Sequence, residues 1–143
     1  MQIILGLFFF YSFKLLSVDY IFDSRGSSEQ KILTFQDNSK FIHLTTNGLW
    51  VDSKGNYGNE VCYGSMEIAG ENQKLDILCE MIDQEGLVFK VSRKRNSLVG
   101  GGVGINTYIE VSEKYNFLKE KRCTYAVTQL NSDFFYKQKC KFD

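Results

Sequence analysis

The residues with the clearest chemistry in this chain are its four cysteines, Cys62, Cys79, Cys123 and Cys140. They form two pairs, each 17 positions apart, and each pair straddles a turn signal. A turn centred between Gly70 and Glu71 sets Ile68 opposite Gln73, Met66 opposite Leu75 and Cys62 opposite Cys79. A two-residue turn at Asn131-Ser132 sets Leu130 opposite Asp133, Val127 opposite Tyr136 and Cys123 opposite Cys140. Opposed residues of a non-hydrogen-bonded antiparallel pair have Cα atoms about 4.5 Å apart, which a disulfide accepts. Four cysteines allow three connectivities. These registers favour 62–79 with 123–140, and the main rival joins Cys79 to Cys123 and Cys62 to Cys140. Each favoured bond closes a loop of 17 residues, worth about 3 kcal/mol in the chain-entropy model. The alternative chemistries fit poorly, because zinc ligands come in pairs roughly two to four residues apart and a redox pair needs C-x-x-C. Neither spacing occurs.

Catalytic material is scarce. His43 is the single histidine, and with all four thiols assigned to disulfides no nucleophile stands with it as a triad would require. It lies in Lys40-Phe41-Ile42-His43-Leu44, sharing a strand face with Phe41 and Thr45 and opposing that of Ile42 and Leu44. Trp50, the one tryptophan, either fills a core or lines a lumen. His43, Trp50 and Phe89 are the candidate ligand-contacting residues, on an inner face expected to hold Phe41, Trp50, Phe89 and Tyr136. No catalytic set, metal site or cofactor is expected.

Other local signals read as structure. Val99-Gly100-Gly101-Gly102-Val103-Gly104 lacks the Lys-Ser/Thr of a phosphate loop and suits a bend or bulge in a strand. Asp52-Ser53-Lys54-Gly55-Asn56 puts lysine where a calcium loop needs a ligand, so it reads as a turn. Lys90, Arg93, Lys94 and Arg95 form a basic stretch, read as a solvated strand end rather than an anion site. No Asn-x-Ser/Thr acceptor for N-glycosylation occurs.

The elements that must position these residues follow from composition and patterning. The chain has 143 residues, no proline, two alanines (Ala69, Ala126) and many aromatic and β-branched residues, which favours strands over helices. Its 17 basic and 17 acidic residues cancel, so no global field draws it to nucleic acid or an anionic membrane. Ile3 to Phe13 is an apolar run that as a helix would span roughly 16 Å, far short of a bilayer of about 30 Å. It fits the core of an export signal over residues 1–17, despite Lys14 and the lack of a basic residue before it. The expectation is a secreted or periplasmic protein whose single domain spans 18–143, with no membrane span after the signal is removed.

Short apolar segments then alternate with turn clusters, as in sandwiches and barrels. Strands are predicted near 31–36, 40–46, 48–52, 61–68, 74–82, 87–93, 98–111 (broken at its glycines), 122–130 and 133–141, with Tyr20 to Phe22 as a further candidate. Asp23 to Gln30 reads as a polar connection, and Ser112 to Lys121 as either a short helical turn near 112–119 or an irregular loop. At Asp83-Gln84-Glu85-Gly86-Leu87, glycine fits the left-handed last place of a three-residue hairpin loop. That register sets Met81 against Phe89 and Cys79 against Val91, with Asp76, Glu80, Lys90 and Ser92 on the outer face.

From Gly48 to about Val127 the ordered features are Trp50, Gly55-Asn56-Tyr57-Gly58, Cys62 with Gly64, Cys79, the acidic turn ending at Gly86, Gly102-Val103-Gly104, and Lys114-Tyr115 running to Cys123-Thr124-Tyr125. In this order the chain resembles the allene oxide cyclase-like and dirigent-like β-barrels, especially small exported bacterial relatives. Where that family has glycine before its Lys-Tyr and a glycine-rich stretch after it, this chain has Glu113 and Asn116 to Arg122, so the loop differs. The resemblance implies an all-β, antiparallel barrel of about eight strands of the calycin or allene oxide cyclase-like kind. It does not carry the cyclase reaction over, because that enzyme's pocket residues find no positions here. Barrels of this size either fill with side chains or hold one small ligand. The expected function is a non-catalytic binding module for a small apolar ligand. An isomerase or cyclase-like enzyme using the lumen is the first alternative, and a structural or adhesive envelope protein the second.

Overall fold

Strict alternation along the chain closes a sheet on itself. In the segment Asn72–Asp83 the side chains of Gln73, Leu75, Ile77, Cys79, Met81 and Asp83 are buried while their neighbours are exposed or half-buried, and every other segment follows the same rule for part of its length. The structure, a computed structural model, describes residues 19–99 and 102–142. The expected export signal, together with Gly100 and Gly101, lies outside the described residues. Eight strands follow one another around a closed antiparallel barrel: β1 (Tyr20–Thr34), β2 (Lys40–Asp52), β3 (Tyr57–Ala69), β4 (Asn72–Asp83), β5 (Val88–Leu98), β6 (Val103–Val111), β7 (Arg122–Leu130) and β8 (Asp133–Cys140). β8 pairs back onto β1, setting Ser24 opposite Tyr136.

The hairpin registers are those the turns specify. Met66 faces Leu75 and Cys62 faces Cys79 across β3 and β4, Met81 faces Phe89 across β4 and β5, and Val127 faces Tyr136 across β7 and β8. Cys62 is bonded to Cys79 and Cys123 to Cys140, with Cα separations of 4.0 and 4.5 Å. Gly86 has φ 79°, the left-handed conformation that the three-residue β4–β5 loop requires.

Several elements differ from the reading of the sequence. β1 runs unbroken through Asp23 to Gln30, because its polar residues are divided between a solvated outer face and an interior that is itself partly polar. Segments 40–46 and 48–52 are one strand, with Gly48 inside it on the half-buried inner face. Phe41 lies on the outer face of β2, opposite to expectation, because the inner face belongs to Ile42, Leu44, Thr46 and Trp50. Between β6 and β7 a short 3₁₀ segment, Glu113–Leu118, buries Tyr115 and Leu118.

That segment seals one end of the barrel. Above it an aromatic cluster is packed edge to face and in stacks, with ring centroids 5.2 Å apart for Phe22 and Trp50, 5.4 Å for Trp50 and Phe89, and 4.6 Å for Phe89 and Tyr115. The carboxylate of Asp83 clasps the segment. It accepts from Tyr115 Oη (2.9 Å), Lys114 Nζ (2.9 Å) and the backbone N–H groups of Glu85 and Leu87. Burial pushes the Asp83 pKa up, but these donors outweigh it and hold the carboxyl down at about 2.

Candidate ligand site

Toward the opposite end, where the β1–β2, β3–β4 and β7–β8 connections form a mouth, the filling is incomplete. A cavity of about 80 Å³ opens there, walled by Leu44, Leu75, Ile77, Val127 and Phe134, with Arg93, Arg95, Tyr125, Tyr136 and the polar side chains of Ser28, Gln30, Gln73 and Gln129 completing its lining. A single water needs roughly 10–15 Å³ by a comparable measure, so there is space for a small molecule or the end of a larger one.

The floor is a buried ion pair. Arg93 Nη2 donates to Glu60 Oε2 at 2.8 Å, and both side chains are almost wholly inaccessible. Ser24 Oγ donates to Glu60 Oε1 at 2.5 Å, Arg93 Nε donates to Asn106 Oδ1 at 3.3 Å, and the guanidinium lies 3.9 Å over the Tyr136 ring. Burial disfavours the Arg93 charge, yet Glu60 beside it more than compensates and holds the guanidinium above its ordinary value. Below the pair, Tyr136 Oη donates to Gln138 Oε1, and Gln138 Nε2 donates to Tyr108 Oη.

Arg95, two residues on and pointing to the same interior, is treated differently. It is 7% exposed, its Nε has no hydrogen-bond partner, and among the described residues no carboxylate pairs with it. The hydroxyl of Tyr125, in the same cavity, is also buried and without a partner. The Tyr125 ring is fixed by stacking on Tyr136 at 5.0 Å and by lying against Gly104, where a Cβ would come within 2.2 Å of its Cζ. Burial raises the Tyr125 pKa against the opposing pull of Arg95 and Arg93, so the phenol is a proton-bearing donor at neutral pH.

The residues singled out from sequence fall elsewhere. His43 is exposed on the outer face of β2, paired in the ladder with Lys31 and Ser65, and does not reach the interior. Trp50 and Phe89 are buried and touch one another, but in the sealed half, where Trp50 Nε1 donates to the Asn59 carbonyl at 3.0 Å. None of the three lines the mouth-side cavity. The basic stretch read as a solvated strand end is only half that: Lys90 and Lys94 are outside, paired with Glu110 and Asp76, while Arg93 and Arg95 are inside. The signal was the alternation itself, since Phe89, Val91, Arg93 and Arg95 follow at every second position. Among the described residues, no three His, Cys, Asp or Glu side chains come together in a way that could hold a metal ion.

No family model matches the chain, and no curated protein matches it. The fold is similar to the solved structure of an enzyme from Penicillium herquei, with a TM-score of 0.65 and 15% sequence identity over 86% of this chain and 94% of that one. At that identity the likeness concerns the fold alone.

Proposed function

We propose that this protein is an exported binding module that takes a small, mainly apolar molecule into the mouth half of its barrel. The observation that carries the reading is the unequal filling: the same alternating strands pack one half with aromatic rings and leave the other half with a cavity walled by aliphatic side chains and Phe134. Export is supported by two disulfides and by the apolar run from Ile3 to Phe13. Kinship with the allene oxide cyclase-like and dirigent-like barrels is part of the proposal, supported by the closed eight-stranded architecture and the ordered features from Gly48 to Val127. The test is a titration of the oxidised protein with a panel of small aromatic and aliphatic molecules, charged and neutral, followed through its methyl resonances. Saturable shifts at Leu44, Leu75, Ile77 and Val127 are the expected outcome. A panel that leaves those methyls unmoved rejects the reading.

Two other readings each have an observation in their favour. An isomerase or cyclase-like enzyme would use the cavity with Tyr125 as its proton donor, and the similarly folded Penicillium herquei protein is an enzyme. Conversion of a bound panel member into a species of new connectivity or mass would favour it. A structural or adhesive role is favoured by the apolar side chains of Leu49, Val51, Tyr57 and Phe135, which line a groove of about 690 Å³ on the outer wall.

A further inference from the structure

We propose that the mouth-side cavity is built for an organic acid, whose apolar body lies among Leu44, Ile77 and Phe134 and whose carboxylate, or an equivalent oxyanion, meets Arg95 and the hydroxyl of Tyr125. This rests on the reading of the cavity as a ligand site and adds the charge of what enters it.

The argument begins with the cost of a buried guanidinium. Arginine does not give up its proton in proteins, so it cannot escape burial by becoming neutral as lysine or glutamate can. Left unpaired it carries a large desolvation penalty. Arg93 shows how this chain meets that penalty, with a carboxylate at 2.8 Å, an amide oxygen and a ring face all supplied from within. Arg95 sits on the same strand face, is buried as well, and among the described residues has no carboxylate, amide oxygen or ring face against it, its Nε being enclosed without a partner. A hydrophobic residue there would have closed the cavity at less cost.

The second observation is the character of the other unpaired group in the cavity lining. Tyr125 Oη is buried, held in place by stacking on Tyr136, and is a donor at neutral pH. A guanidinium donates only and the protonated phenol donates as well, so the two together present hydrogen-bond donors and positive charge to the cavity. Their complement is an acceptor carrying negative charge. Water would fill the hydrogen bonds but leave the charge uncompensated. The walls beside the two groups are apolar, which fits an acid with a hydrocarbon body better than a bare inorganic anion. The size of the cavity, about 80 Å³, limits the buried part to a small ring or a short chain.

The experiment uses a matched pair of probes, phenylacetate and its neutral isostere phenylacetamide, titrated into the full disulfide-bonded protein by calorimetry and by ¹H–¹⁵N spectra that include the Arg95 Nε–H. Phenylacetate is expected to bind at least tenfold more tightly than the amide and to shift the Arg95 Nε–H resonance. The Arg95→Met variant is expected to lose that preference while still binding phenylacetamide, and Tyr125→Phe to weaken phenylacetate about threefold. Equal affinity for the two probes in the native protein, with an unmoved Arg95 resonance, overturns the inference and leaves the ligand-cavity reading standing. Failure of both probes, with the cavity methyls silent to the wider panel as well, rejects the cavity reading and the inference with it. The native-protein comparison decides the matter even if a variant does not fold.

Discussion

The two halves of the barrel interior use the same strands and the same alternation, and they differ in what the inward positions hold. In the sealed half most inward positions carry an aromatic, a sulfur or an aliphatic side chain, and the polar side chains among them are tied to one another, Asp83 to Tyr115 and Lys114 and Gln138 to Tyr136 and Tyr108, with Ser112 Oγ at the start of the 3₁₀ segment the exception. In the mouth half the inward positions mix aliphatic side chains with Arg95, Tyr125 and glutamines, and Arg95 Nε, Tyr125 Oη and the nearby Ser97 Oγ are buried without a partner. A fold optimised for stability alone would finish both halves alike. The unfinished half is where function is expected, because native proteins tolerate unpaired buried groups mainly at working sites.

The comparison makes its largest prediction about packing. Phe89 is fully buried between Trp50, Tyr108 and Tyr115, so Phe89→Ala should cost about 4 kcal/mol. Phe134 borders the cavity and already lacks neighbours on one side, so Phe134→Ala should cost about 2 kcal/mol, below the range for a fully enclosed phenylalanine. Urea denaturation of the oxidised variants measures both. Equal costs would mean that the mouth half is as tightly packed as the sealed half, and the contrast would fail.

The next effect lies at the boundary between the halves. Glu60→Ala strands Arg93 without its carboxylate and should cost about 3 kcal/mol. The double change Glu60→Leu with Arg93→Met should recover most of that loss, since a well-packed apolar pair often equals a buried ion pair. A double variant no more stable than Glu60→Ala would show that the pair does more than satisfy itself, and that the floor depends on its polarity.

A smaller effect tests the seal. Asp83→Asn keeps the shape of the clasp but removes its charge, and should cost about 2 kcal/mol at neutral pH. The sign with pH follows from the direction of the shift. The folded carboxyl is held at about 2 against an ordinary value of 3.8, so its contribution is complete above about pH 4 and is lost as the pH falls toward 2. The native protein should lose stability across that window more steeply than the Asn variant does. Parallel acid limbs for the two proteins would show that Asp83 does not tie down the 3₁₀ segment by charge.

How much of this could be read from the chain depends on whether a residue obeys the common rule for its type. The β4–β5 corner was legible because Gly86 fixes the loop and the loop fixes the register, so Met81 against Phe89 followed from counting. The cross-strand cysteines were legible for the same reason. β1 was not, because Ser24 points inward to Glu60, and a serine inside a polar run looks like a loop until its partner is known. Arg93 and Arg95 are hard to read because a cluster of four basic residues is usually solvated. Only their alternation with Phe89 and Val91 places them inside, where period outweighs charge. His43 was correctly set on the face opposite Ile42 and Leu44, but which face was inner depended on the whole ring of strands.

The smallest expected effect is the sharpest test of the difference between the halves, and it has the opposite sign to the rest. Arg95→Met replaces an enclosed, unpaired cation with a flexible apolar chain of similar reach, in a cavity whose walls are already apolar. The desolvation penalty disappears and no partner is left stranded, so the free protein should gain about 1 kcal/mol in urea denaturation. Arg93→Met, two residues away on the same face, should lose stability instead, because it leaves Glu60 buried without its countercharge. The two variants make the same chemical change in the same strand, so opposite signs isolate the one difference between them, which is whether the barrel supplies a partner. If both variants lose stability alike, Arg95 is held by the fold as Arg93 is, and the mouth half is a finished core with a gap rather than a site.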